Sequence, residues 1–247
     1  MQIFSNFARS AGFALKCLVL TGAGLLFAPE ASAQAIDSVE AVFTVHYNNK
    51  ETAGENRLHI SRDGDEYVID FELDHWMLSS QQIARFKFDH CMVQPEHYTD
   101  KHKRPFKKEQ AQKLVFDWED KKAYLSGDEK KDFDLEDPRG AYDPLSFFFE
   151  ARCALMAGET AFSYPVIRKG RNRVQDYEVI GTELVSTPLG DFEALIVERV
   201  RNNPKRQTRL YVAPELDYLL VKIEHQESPM LRIIATLKEM DYQLIDE

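Results

Sequence analysis

The 247-residue chain contains neither a Gly-x-Ser-x-Gly elbow nor a His-Glu-x-x-His pair, the two signatures first sought in a hydrolase. Basic excess is also missing. With 31 Lys and Arg against 41 Asp and Glu, the formal charge is −10, the wrong sign for neutralising phosphates, so nucleic acid is not an expected partner. There is no internal repeat and no low-complexity linker, which leaves one domain as the expected organisation. Cysteine is scarce, at three residues, and His90, Cys91, His97 and His102 match no zinc-ligand spacing; neither a metal nor a cofactor is expected. No apolar run reaches the ~20 residues that a membrane-spanning helix requires.

The one pronounced apolar run, Cys17 to Ala28, follows Arg9 and Lys16 and precedes Pro29 and Ala31-Ser32-Ala33. That order of charge, apolar stretch and small residues reads as a secretory signal cleaved after Ala33, leaving residues 34–247 as a single secreted domain in the periplasm. Cys17 has Lys16 directly before it and the apolar run after it, unlike a lipid-attachment cysteine. Cys91 and Cys153 remain. In an oxidising compartment they either pair, tying the helix described next to the first strands, or stay as two buried thiols.

The best-signalled element runs from Asp143 to Gly158. Asp143 suits an N-cap, Pro144 the first helical position and Gly158 a left-handed stop. Only Ser146, Glu150 and Arg152 are polar in its body, so something has to cover most of its circumference. The flanking sequence supplies strands. Ala41, Phe43, Val45 and Tyr47 alternate with Thr44 and His46; Asp63-Gly64-Asp65 joins two further alternating runs, a strong hairpin signal. Strands are expected again over 83–88, 93–99, 113–118 and 121–125, and after the helix over 161–167, 174–186, 192–201, 207–212, 218–225 and 231–242. The stretch from Ser126 to Tyr142 reads as an acidic, turn-rich connection, and Lys101 to Lys108 as a solvated hairpin tip. The expected fold is mainly β: a curved antiparallel sheet, or unclosed β-barrel, wrapped on one central α-helix at about residues 143–157.

Several pieces taken together resemble the bacterial secreted domain-of-unknown-function family 3108. They are Met92 to Tyr98, Leu114-Val115-Phe116-Asp117-Trp118, Asp143-Pro144-Leu145-Ser146, Thr187 to Ala194, Tyr211-Val212-Ala213-Pro214 and Leu220-Val221-Lys222-Ile223. The family has no established activity to carry over. Its general form is similar to envelope lipoprotein-carrier folds, in which an open barrel holds hydrophobic material against helices, and the resemblance implies that fold.

Ser146 has no histidine near it in sequence and reads as support for the helix's first turn, so catalysis is not expected. Phe147, Phe148 and Phe149 point in three directions about 100° apart and cannot all meet one sheet surface. Either the helix is enclosed by a filled core or part of it lines an apolar cavity. The second case makes Leu145, Phe147, Phe148, Phe149 and Met156 candidate ligand-binding residues of a non-enzymatic binder of lipid or acyl chains. The alternative is a structural envelope protein that docks a partner through a strand edge or the basic hairpin 101–108.

Overall fold

Alternation of apolar and polar side chains lets a strand bury one face and wet the other, and this pattern covers most of the chain. A computed structural model describes residues 35–48, 50–75, 78–136 and 140–245; the expected signal segment, residues 1–33, lies outside them. The first half forms β1 (Ile36–Tyr47), β2 (Lys50–Asp63), β3 (Glu66–His75), β4 (Leu78–Asp89), β5 (Met92–Lys103), β6 (Gln110–Asp117), β7 (Lys122–Gly127) and β8 (Lys131–Asp134). The helix α1 (Phe147–Met156) follows, and then β9 (Ala161–Arg168), β10 (Arg171–Thr187), β11 (Gly190–Arg199), β12 (Gln207–Ala213), β13 (Leu219–Ser228) and β14 (Leu231–Leu244).

All fourteen strands of the described residues belong to one sheet, ordered β8-β7-β6-β5-β4-β3-β2-β1-β14-β13-β12-β11-β10-β9. Within each half, neighbours in sequence pair as antiparallel hairpins. The halves join through β1 and β14, with Phe43 opposite Leu237 and Val45 opposite Ala235. The edge strands β8 and β9 do not pair with each other, so the sheet is curved but unclosed. Tyr142 partly covers the β9 edge: its N–H donates to Pro165 and its carbonyl accepts from Ile167, a parallel bridge opposite Val166. Bulges between Arg85 and Phe86 and between Val179 and Gly181 add bend, since an extra residue on one strand twists the ladder locally.

The period of two sorts residues as the alternation requires. Val39, Ala41, Phe43 and Val45 of β1 are buried, as are Tyr67 and Ile69 of β3 and Ala84 and Phe86 of β4. These side chains form one hydrophobic core that includes Phe147, Phe149, Ala151 and Leu155 of α1. Gly64 sits at φ +65° in the two-residue loop of the β2–β3 hairpin, where any other side chain is strained.

Two expectations need correcting. The stretch Ser126 to Tyr142 is not all connection, because Lys131–Asp134 pairs with β7 as a short edge strand; a single apolar residue, Phe133, leaves no alternation to read. The helix also starts later than Asp143. Asp143 Oδ1 accepts the N–H groups of Leu145 and Ser146, making a capped turn that feeds α1 at Phe147. Its end is as expected in kind: Gly158 lies at φ +80°, its N–H donates to Leu155, and the Glu159 N–H donates to Ala154, the double bond of a Schellman motif.

Candidate ligand-binding site

A ten-residue helix is marginal by itself, and each polar group of α1 anchors it to the sheet or its connections. Glu150 accepts the Val93 N–H at 2.8 Å and the Tyr142 hydroxyl at 2.9 Å. Arg152, fully buried, donates from Nε to the Asp217 carbonyl at 2.6 Å, and burial holds its guanidinium pKa below the ordinary value. Cys153 is disulfide-bonded to Cys91 in the β4–β5 turn, so of the two readings left open the paired one holds. Burial also pushes the Asp143 carboxyl above its usual range, opposed by hydrogen bonding to Ser146 and Leu145. Glu150, Arg152 and Cys153 are thus taken up in holding the helix.

The three phenylalanines diverge as helical geometry demands. Phe147 meets Tyr164 and Tyr177, both at 5.4 Å between ring centroids. Phe149, roughly 200° around the helix from Phe147, packs edge-on against Tyr67, Phe86 and Phe88 at 4.9–5.1 Å. Phe148 projects between them.

There the interior is hollow. A partly open cavity of about 190 Å³ lies between α1 and the inner faces of the strands, with almost no polar atom on its wall. Beside Phe147 at its start, the helix contributes Phe148, Ala151, Arg152 and Leu155, a face of i, i+3, i+4 and i+7 spacing. Leu58 and Ile69 stand on one side, Val197, Leu210, Val212 and Ile223 on the other. Of the five candidate residues, Leu145, Phe147 and Phe148 line the cavity. Phe149 and Met156 do not: Phe149 turns to the opposite wall, and Met156 lies about 100° beyond Leu155. Ala151 and Leu155 were missed, although their spacing from Phe148 marks the same face. Ala151 matters because a small side chain at the centre of that face leaves the space open. An apolar cavity of this size is comparable to ones that hold a benzene-sized apolar molecule.

The cavity continues past Pro144, Phe147 and Tyr177 into a wider passage of about 460 Å³. Among the described residues no group of three His, Cys, Asp or Glu side chains is placed to hold a metal. His90 contacts Asp89 in the β4–β5 turn, whereas His97 and His102 lie along β5.

A family model described as a protein of unknown function (DUF3108) matches residues 42–230. The chain belongs to the DUF3108 family. A solved β-barrel-like protein of the domain of unknown function DUF1849, from Brucella abortus, is similar in fold to this DUF3108 chain, with a TM-score of 0.57 at 11% identity over 85% of this chain and 100% of that one. A DUF1329 family protein from Desulfovibrio piger aligns over 86% of this chain and 87% of its own at 10% identity, with a TM-score of 0.26. No curated protein matches the sequence. Among the described residues no helix is long and apolar enough to cross a membrane.

Proposed function

We propose that the protein is a non-enzymatic binder or carrier of hydrophobic material, acyl chains above all, exported to the bacterial periplasm by residues 1–33. The observation that carries this reading is the apolar cavity beside Phe148 and Ala151. Interiors are ordinarily close-packed with few voids, so an apolar hollow at the centre of a curved sheet is the default place to seat a ligand. Delipidated protein titrated with a fluorescent fatty acid, and examined by native mass spectrometry, tests it. Wild type binds one molecule, and Ala151→Trp, which fills the space, does not. Absence of binding by wild type, or undiminished binding by a folded Ala151→Trp, removes the proposal. Export is tested separately by N-terminal sequencing of the protein from a periplasmic fraction, where the chain is expected to start at Gln34.

A second reading, docking of an envelope partner, is favoured by one observation: Phe106 stands fully exposed in the cationic β5–β6 loop. Charge reversal at Lys103, Lys107 and Lys108 abolishes docking in that case and leaves interior binding intact.

A further inference from the structure

Inward-facing positions on three strands change character along their length. On β11 the period of two runs Leu195, Val197, Arg199 and continues to Arg201; on β9 it runs Tyr164, Val166, Arg168; on β10, read backwards, Tyr177, Gln175, Arg173. The register aligns these ends, with Arg199 opposite Tyr177 and Arg173 opposite Val166. Oily near the helix, the interior becomes cationic at this end.

The outer mouth is lined by eight Arg and Lys residues against two carboxylates, Glu129 and Glu227, on a chain whose net charge is −10. Glu227 is engaged by Arg206 at 2.7 Å. Among the described residues no carboxylate forms an ion pair with Arg168, Arg199 or Arg201. Arg201 donates to Thr208 at 3.0 Å, and the Nε groups of both Arg199 and Arg201 are shut away from solvent with no acceptor. Burial lowers both guanidinium pKa values, and the neighbouring arginines add to the effect. Asp100 lines the same passage, but its ion-pair partner is His102, at 3.7 Å, and not an arginine. Cations held together and half buried without a paired carboxylate are costly unless an anion joins them, and the planar guanidinium fork suits carboxylate and phosphate oxygens.

This cationic end is continuous with the apolar one. Phe147, Tyr177, Leu210 and Ile223 line both the cavity and the passage, and Arg168, Arg199, Arg201 and His225 line both the passage and the mouth. We infer that the site takes a single-chain amphiphile with an oxyanion head, the tail beside α1 and the head held by Arg199 and Arg201 with Arg168 at the rim. The inference rests on the apolar-ligand reading and names the ligand's other half.

The test displaces a fluorescent fatty acid from delipidated mature protein with four probes: oleate, oleoyl lysophosphatidate, neutral monoolein and tailless glycerol 3-phosphate. Oleate and lysophosphatidate are expected to bind roughly 10- to 100-fold more tightly than monoolein, the scale of charge-assisted hydrogen bonds, and their order separates carboxylate from phosphate heads. Arg199→Gln/Arg201→Gln loses that preference while still binding monoolein. The exposed Arg168→Gln, which leaves the fold undisturbed, loses part of it and decides the matter if the double variant does not fold. Equal binding of monoolein and oleate by wild type, or a preference unaltered in the variants, overturns the anionic head while leaving the apolar reading intact. Glycerol 3-phosphate binding as tightly as lysophosphatidate overturns the amphiphile, making the arginines a site for free anions. If no tailed probe binds, the apolar reading itself fails.

Discussion

Removing the Cys91–Cys153 bond should cost more than any other pair of side-chain changes of comparable size. The bridge spans 62 residues, including four of the strands and the whole approach to α1. In the chain-entropy account, closing a loop of that length restricts the unfolded chain by about 4 kcal/mol at 25 °C. The native side adds to the expectation. Cys91 and the preceding His90 both hold positive φ, +58° and +47°, in the tight β4–β5 turn, a conformation that costs non-glycine residues about 1 kcal/mol or more unless their surroundings impose it. The assay is urea unfolding of Cys91→Ser/Cys153→Ser beside wild type. With a slope of about 2–3 kcal/mol per molar for a domain of this size, the midpoint should fall by roughly 1.5–2 M. A drop under about 0.5 M at an unchanged slope, taken with the same scale, would refute the reasoning and mean that Glu150 and Arg152 hold the helix without the bridge. Because α1 forms one wall of the cavity, the same variant is expected to bind a fluorescent fatty acid more weakly at denaturant concentrations far below its midpoint.

Adjacent phenylalanines should behave differently. Phe149→Ala removes a buried ring from a cluster of three others and should cost about 3–5 kcal/mol, whereas Phe148→Ala, facing the cavity, should cost under about 2 kcal/mol; calorimetric melting separates them, and equal losses would contradict the placement of the hollow. Arg152→Ala should destabilise by about 3–5 kcal/mol, because it empties a large, fully buried site and takes the Arg152 donor from the Asp217 carbonyl; urea titration measures it, and a neutral outcome would mean that the tether is idle. The pH dependence has two opposed contributors. Burial raises the Asp143 pKa in the folded state, so its contribution is fully present below the ordinary value near 4 and is lost as pH rises through the raised value; Asp143→Asn, which keeps the acceptor oxygen, should flatten that decline and be the more stable form at neutral pH. For Glu224, burial is outweighed by hydrogen bonds from Lys222 and Arg232, and the folded pKa is lowered; its contribution is present above the ordinary value near 4 and is lost on acidification through the lowered one, so Glu224→Gln should destabilise at pH 7 and much less at pH 3 in melts across that range.

Local pattern was enough for most of the elements. The alternation in Ala41 to Tyr47, the Asp-Gly at 63–64 and the glycine at 158 each act on neighbours a few residues away, so β1, the β2–β3 hairpin and the end of α1 could be read directly. The four residues of β8 carry one apolar side chain, and such an edge strand exists only because β7 offers a partner. Family membership was legible for a related reason: its short pieces sit at the turns and strand ends, where particular residue types are required in order. Strand neighbours were not legible. β1 lies between β2 and β14, and the pairing of Phe43 with Leu237 depends on closure of nearly the entire described chain, which no local period encodes. The same holds for the interior. Three consecutive phenylalanines announce that a helix must face three ways, but which of them meets a wall and which a space depends on the strands opposite, and on Ala151 being small where they stand back. Arg168, Arg199 and Arg201 are unremarkable in an acidic sequence with 31 basic residues. Only the register of β9, β10 and β11 brings them to one mouth, because sheet pairing, unlike side-chain alternation, is a relation between residues far apart in the chain.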